Sequence, residues 1–236
     1  MSDPDTANRS DTIKVEWPDL VKFVRQLSHD LRNHLNAVEL QSAYLGELAT
    51  DPELKEEIKR LRQMASELGT TLQKLSASVA QPRPTLMPYP VNDFLEDLRK
   101  KIENVFPQES SSIDWETETS EASIQIDPQL LQEALLELFN NAFRHTRGEG
   151  RLKVKAQVVG NELVLTLNEP KAAFDASTED WGRQPLRAIG QGHYGLGLNR
   201  ARVIFESLGG RFSAQYEKST ATLVTTATLP LATQIG

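Results

Sequence analysis

The chain has 236 residues, 39% of them hydrophobic and 25% charged, which is typical of a folded globular protein and excludes fibrous or wholly disordered classes. Its formal net charge of −7 argues against nucleic acid as a partner, because phosphate-rich surfaces require clustered positive charge. The absence of cysteine excludes disulfides, thiolate nucleophiles and cysteine-ligated metals. No apolar run approaches the ~20 residues of a membrane span, and the polar start does not resemble a secretory signal, so we expect a cytoplasmic protein.

Patterns along the chain predict three regions. Residues 1–15 are polar and aperiodic, which predicts a disordered arm. Residues 16–81 carry a helical heptad pattern, and residues 82–236 follow a proline-rich boundary and mix helix and strand patterns. The predicted fold is an antiparallel helical hairpin, which forms a dimeric four-helix bundle, followed by a two-layer α/β sandwich with a mixed sheet.

The hairpin prediction depends on apolar residues at seven-residue spacing. In the first helix one series starts at Leu20 and a second at Val24; after the turn at Asp51 the second helix has series from Leu54 and Ile58. Two helices alone cannot enclose a core, so these series predict that the hairpin pairs with a second copy, as a symmetric homodimer.

In the C-terminal region helical and strand periodicities alternate. The predicted helices span 92–105, 127–146 and 194–208. The predicted strands span 84–89, 112–118, 123–126, 151–159, 162–168, 211–217 and 221–230. A polar loop over 169–192 is too long for a simple connection, and its length suggests a lid.

Two histidines lie in the first helix, within the stretch SHDLRNHLNAV. His34 shares a heptad series with Leu27 and is expected inside the bundle, whereas His29 is expected to face water, where another domain can reach it. A neutral imidazole is a nucleophile at cellular pH, and Asp30 can hold the proton of its far nitrogen. The same residues are also typical of an exposed helical histidine beside a surface acid.

The predicted helix over 127–146 has a polar face that contains Glu137, Asn141, Arg144 and His145. A carboxylate, an amide oxygen and phosphate-facing side chains suit a magnesium nucleotide, with Asn141 as the metal ligand. The alternative is an ordinary polar face on a buried helix.

A glycine-rich segment, GQGHYGLGL, precedes the last predicted helix. Glycines allow a phosphate to approach the backbone, and the N–H groups at a helix start attract its charge. Gly192, Gly195, Leu196 and Gly197 are therefore candidates for a nucleotide site. A flexible lead-in to the helix is the simpler alternative.

These three motifs, in this order, resemble the catalytic core of bacterial sensor histidine kinases, over residues from about 20 to 232. SHDLRNHLNA is similar to the family's H-box, except that His34 stands where proline is usual. ELFNNAFRHT is similar to the N-box of the ATP-binding fold shared by histidine kinases, gyrase and the heat-shock chaperone. GHYGLGL is similar to the family's second glycine box.

The resemblance implies a role for each matching residue. His29 would carry a phosphoryl group, Asp30 would act as its acid/base helper, and Asn33 would position water to dephosphorylate a partner. Glu137 would activate a nucleophile. The implied cofactors are ATP and Mg²⁺, and the implied partners are a second copy, a response regulator receiver domain and an upstream sensor protein.

One element of the family pattern is missing. After the strand at 162–168 the family has Asp-x-Gly-x-Gly, in which the Asp accepts from the adenine amino group and the glycines make room for the base. Here the chain reads NEPKA over 168–172, so Asn168 offers an uncharged oxygen and both glycines are replaced by larger residues. The sequence predicts weakened nucleotide binding.

Three functions remain open from the sequence. The first is a histidine kinase that autophosphorylates His29 from Mg-ATP and passes the phosphoryl group to a response regulator. The second is a histidine phosphotransferase that relays phosphate between response regulators without ATP. The third is a non-catalytic protein that binds a regulator.

Overall fold

The structure, a computed structural model, describes residues 15–119, 121–144, 148–175, 177–186 and 194–232. The chain divides into two compact units, Met1–Ala80 and Gln81–Gly236. The expected disordered arm lies, apart from Val15, outside the described residues. Within the described residues, none of the helices combines the length and the apolar character needed to cross a bilayer.

The first unit is a hairpin of two long helices, α1 (Trp17–Leu48) and α2 (Pro52–Val79). Proline at the start of α2 suits a helical first turn because its missing N–H group would have no partner there. The carboxylate of Asp51 accepts a hydrogen bond of 3.0 Å from the backbone N–H of Glu53 and so caps α2. The predicted antiparallel hairpin is confirmed.

The two helices pack through one heptad series each. On α2 the buried residues are Ile58, Ala65, Leu72 and Val79, the series predicted from Ile58. On α1 the buried helical residues are Ser28 and Ser42, and Ala49 follows at the same spacing. Ser42 is satisfied locally, since its hydroxyl donates to the carbonyl of Val38 at 2.7 Å. Small residues on α1 therefore let the larger residues of α2 approach closely.

Most of the other apolar heptad residues are not covered within the hairpin. We call this set the seam stripe; on α1 and α2 it consists of Leu27, Leu31, Val38, Leu45, Leu48, Leu54, Leu61 and Leu68, all of them exposed. His34, expected inside a bundle, is likewise exposed on the single hairpin. An exposed apolar stripe that runs along both helices of a hairpin is typical of an interface.

The second unit is a two-layer sandwich with a mixed sheet, as predicted. Its helices are α3 (Val91–Val105), α4 (Pro128–Arg144) and α5 (Gly197–Ser207). Its strands are β1 (Met87–Pro90), β2 (Ile113–Glu118), β3 (Ser123–Ile126), β4 (Leu152–Val159), β5 (Glu162–Pro170), β6 (Arg211–Glu217) and β7 (Thr222–Pro230). The main sheet has the order β2-β4-β5-β7-β6 and is antiparallel except for the β2–β4 pair, while β1 and β3 form a separate two-stranded sheet.

The core of this unit lies between the main sheet and the helices. Alternate residues of β5 and β7 are buried, as expected for strands with one covered face. They pack with the apolar faces of the helices, on which Phe94, Leu131, Phe139 and Phe205 are fully buried. The helices therefore cover the inner face of β5 and β7.

Several element ends differ from the sequence prediction by one to three residues, and two of these differences affect the candidate site. β5 continues to Pro170 because Glu169 and Pro170 still pair with Leu223 and Thr222 of β7. α5 starts at Gly197 rather than at 194, since Gly195 has a φ of 63°, which a right-handed helix does not allow.

Two hydrogen bonds connect the described part of the predicted lid to α5. The guanidinium Nε of Arg202 donates to the carbonyl of Trp181 at 2.8 Å, and the amide of Asn199 donates to the carbonyl of Gly182 at 3.0 Å. Residues 176 and 187–192 of the predicted loop lie outside the described residues.

Candidate phosphotransfer and nucleotide sites

His29 lies on α1 with its side chain 67% exposed. Its Nδ1 is 3.1 Å from Oδ1 of Asp30. A carboxylate can only accept, so this hydrogen bond places the ring proton on Nδ1. The lone pair of the neutral imidazole is then on Nε2, the ring atom available to an electrophile.

Two neighbours stabilise the ionised form of Asp30. The hydrogen bond from His29, followed by the hydrogen bond from Gln26, lowers the pKa of the Asp30 carboxyl below its usual value. The Gln26 amide lies 2.9 Å and 3.1 Å from the two carboxylate oxygens, one helical turn away. Asp30 is thus held as an anion that orients the ring of His29.

Asn33 lies one turn after His29 on the same side of α1. Its amide Nδ2 is 3.5 Å from Nδ1 of His29. Because the Nδ1 proton is donated to Asp30, this amide is a polar neighbour of the ring rather than a donor to it. The structure therefore brings His29, Asp30 and Asn33 together at one exposed position.

In the second unit, Glu137 is the predicted polar residue of α4 that the structure places against the start of α5. Glu137 and Asn141 are partly buried, Arg144 is exposed at the helix end, and His145 lies outside the described residues. A β-carbon built at Gly197 would overlap Oε2 of Glu137, so the carboxylate lies directly against the α5 backbone.

The sequence interpretation missed a second link between these helices. Nε of Arg200 donates to Oε1 of Glu133 at 2.8 Å, although Arg200 is only 7% exposed. Glu133 lies four residues before Glu137, so the two side chains lie on the same face of α4. This spacing is the only sequence signal that could have pointed to Glu133.

The start of α5 provides backbone groups for an anion. Gly195 has a positive φ, Leu196 is buried, and Gly197 is the first helical residue. The backbone N–H of Leu186 donates to the carbonyl of Gly195 at 3.0 Å and fixes this lead-in. Gly192 lies outside the described residues.

The end of β5 differs from the sequence interpretation. Asn168 is partly exposed and faces the opposite side of the sheet from Leu167. Glu169 and Lys171 share the inner face with Leu167, and their side chains form an ion pair. The alternation of buried and exposed residues along β5 would predict the inward orientation of Glu169 if the strand were extended to Pro170.

The two ends of the candidate nucleotide site therefore fit Mg-ATP differently. The amide of Asn141 suits a magnesium ion, and the glycine-led start of α5 suits phosphates. At the base end, the inner face presents an ion pair instead of a carboxylate flanked by glycines. The described residues thus fit the phosphates but not the adenine.

A hairpin with an exposed, carboxylate-oriented histidine, followed by this α/β sandwich, is the arrangement that the resemblance to a histidine kinase catalytic core predicts. Residues 126–233 match the family model described as "Histidine kinase-, DNA gyrase B-, and HSP90-like ATPase". The resemblance to a histidine kinase catalytic core with an ATPase-type domain is confirmed.

Individual relatives agree with this assignment. A sensor-like histidine kinase of Rhizobium meliloti is 24% identical over 86% of this chain and 41% of its own length. The adaptive-response sensory kinase SasA of Prochlorococcus marinus is 28% identical over 80% of this chain and 53% of its own length. The chain thus spans about half the length of the curated relatives it matches.

Solved structures show the same fold. Full-length ShkA, in complex with AMPPNP, superposes with a TM-score of 0.67 at 18% identity, over 91% of this chain and 47% of ShkA. The histidine kinase AdeS of Acinetobacter baumannii has a TM-score of 0.51 at 22% identity, over 86% of this chain and 97% of the AdeS chain.

Proposed function

We propose that this protein is a two-component phosphotransfer protein, in which His29 accepts a phosphoryl group and passes it to the receiver-domain aspartate of a response regulator. The observation that carries the proposal is the exposed His29 ring with its Nδ1 bound to Asp30. That arrangement directs the nucleophilic lone pair of Nε2 outward.

The residues around His29 have distinct roles in this transfer. As Nε2 forms a bond to phosphorus, the ring gains positive charge, and the anionic Asp30 stabilises it through the Nδ1 proton. Asn33 lies beside the same ring and is the group we propose to position water when the phosphorylated regulator is hydrolysed.

The phosphoryl donor distinguishes two versions of this function. If Mg-ATP supplies the phosphoryl group, the protein is a histidine kinase, and Asn141, Arg144 and the start of α5 would hold the nucleotide. Glu137 would then be the group that activates the nucleophile. If a phosphorylated receiver supplies it, the protein is a relay, a version favoured by the ion pair at the base end.

The functional unit in this proposal is a homodimer. The seam stripe leaves eight apolar side chains exposed along one hairpin. A second copy would bury them in a four-helix bundle, at a gain of roughly 25 cal/mol for each Å² of apolar surface removed from water. His29 belongs to neither seam series and stays accessible in such a bundle.

The test is to offer the full chain both donors separately. Mg-ATP labelled on its γ-phosphate, or a receiver domain labelled on its aspartate, is incubated with the wild type, His29→Gln and His34→Gln. We expect acid-labile label on the wild type and on His34→Gln, and none on His29→Gln. If neither donor labels His29, the chain transfers no phosphoryl group and only a regulator-binding role remains.

A further inference from the structure

The segment that starts at Glu169 stands in the place of the family's Asp-x-Gly-x-Gly. Because α4 and α5 carry the other candidate nucleotide residues and cover the inner face of the sheet, a β5 residue that meets the same ligand has to lie on that face. By the alternation of β5, that residue is Glu169 and not Asn168. Lys171 and Ala173 then occupy the two glycine positions.

At this point the structure contains a buried ion pair. Glu169 and Lys171 are each 4% exposed, and Nζ of Lys171 contacts Oε1 of Glu169. The lysine side chain fills space that a glycine would leave open. The carboxylate that could accept from an adenine amino group is already bound to an ammonium group.

The backbone around the pair is held from two sides. The N–H of Lys171 donates to the carbonyl of Ala221 at 2.8 Å, and the N–H of Gly148 donates to the carbonyl of Pro170 at 2.8 Å. A β-carbon at Gly148 would lie 2.9 Å from the carbonyl carbon of Lys171, so this approach requires glycine. The segment cannot open without breaking these contacts.

Displacing Lys171 would also leave the charge of Glu169 buried without its cation. Such a charge is strongly unfavourable, and a neutral adenine amino group does not replace an ammonium ion. We therefore propose that the Glu169–Lys171 pair fills the place where an adenine would bind. The phosphoryl donor to His29 is then the aspartyl phosphate of a receiver domain rather than a nucleotide. The proposal rests on the proposed transfer through His29.

The phosphoryl transfer needs no reactant other than His29 and the acyl phosphate. Nε2 of His29 attacks phosphorus, the N–P bond forms, and the P–O bond of the acyl phosphate breaks to release the aspartate carboxylate. The proton on Nδ1 stays hydrogen-bonded to Asp30 throughout. The reverse reaction delivers the phosphoryl group to a second receiver.

A restoration variant tests the role of the ion pair directly. Glu169→Asp, Lys171→Gly and Ala173→Gly together rebuild Asp-x-Gly-x-Gly in the full chain. Binding of Mg-ATP and Mg-ADP is measured by isothermal titration calorimetry for this variant and the wild type. Lys218→Gly, which removes a lysine from an exposed turn, is the control.

We expect no detectable nucleotide binding by the wild type or by Lys218→Gly. The restoration variant should bind with a dissociation constant at least about 10-fold below the weakest that the titration can detect. Nucleotide binding by the wild type would overturn the proposal. Lack of binding by a restoration variant with a wild-type circular dichroism spectrum would show that the pair is not the obstacle, and would overturn it too.

The donor experiment separates this proposal from the proposed function. Label on wild-type His29 from the receiver and none from Mg-ATP supports both. Label from Mg-ATP overturns the assignment of the donor but leaves phosphotransfer through His29 intact. Absence of label from both donors overturns the proposed function, whereas the binding measurement still reports on the ion pair.

Discussion

The carboxylate of Glu137 on α4 lies against the backbone of Gly197, the first residue of α5. A β-carbon at position 197 would overlap Oε2 and lie 3.2 Å from the carboxyl carbon. Glycine is therefore needed here for a close approach between helices and not for a turn. The approach also places an anion at the positive end of the α5 dipole, which is favourable.

Replacing this glycine should separate the two helices. We expect Gly197→Ala to lower the free energy of unfolding of the C-terminal unit by about 1–3 kcal/mol, because the added methyl group overlaps a partly buried carboxylate. Urea denaturation measures the change. Gly69→Ala is the matched control: a β-carbon there meets no atom within 4 Å, and alanine should stabilise α2 by up to about 1 kcal/mol. An unchanged midpoint for Gly197→Ala would contradict the close approach.

The Asp30 carboxylate should determine how well His29 reacts. Asp30→Asn removes the charge that stabilises the protonated ring, and we expect the rate of phosphoryl transfer to His29 to fall about 10²-fold. Asp19→Asn, an exposed acid on the same helix paired with Lys22 at 3.4 Å, should leave the rate unchanged. Stopped assays with a labelled receiver measure both rates.

The lowered pKa of Asp30 determines the pH range of this effect. A carboxyl group whose pKa is lowered in the folded protein makes its full favourable interaction above its unfolded pKa of about 3.9. It loses that interaction only as the pH falls through its lower, folded pKa. The rate deficit of Asp30→Asn should therefore be present at pH 5 and at pH 8 alike. A deficit that disappears at pH 5 would show that Asp30 is already protonated there.

The seam stripe predicts which leucines control dimerisation. Leu31 is 39% exposed in the hairpin and lies in the stripe, whereas Leu40 is 74% exposed and lies outside both heptad series. We expect Leu31→Asp to be monomeric in sedimentation velocity, because two unpaired carboxylates would be buried at the interface, each costing several kcal/mol. Leu40→Asp should remain dimeric. A dimeric Leu31→Asp would contradict the four-helix bundle.

The buried ion pair should show strong coupling. Lys171→Met leaves Glu169 buried without its cation, and we expect the free energy of unfolding to fall by about 3–5 kcal/mol. Adding Glu169→Met should recover most of that loss, since replacing both charges by apolar side chains is often close to neutral. Urea denaturation of both variants measures the difference. A double variant less stable than Lys171→Met would argue against a pair that is isolated from water.

Much of the fold follows from local pattern. The heptad series predict both long helices, and Asp51 with Pro52 predicts where the second one begins. The series from Ile58 is the one that packs inside the hairpin. The series on α1 that packs against it contains Ser28 and Ser42, and an apolar heptad pattern does not include serine.

The sequence by itself determined the order of the motifs, the helical hairpin and the exposed position of His29, because helical periodicity and capping depend on residues close together in the chain. Only the tertiary structure decided that β5 reaches Pro170, since that extension requires pairing with β7, which lies some 50 residues further along the chain. The extension turns Glu169 and Lys171 inward to form an ion pair. The contact of Glu137 with Gly197 has the same origin, because it exists only where α4 and α5 pack together.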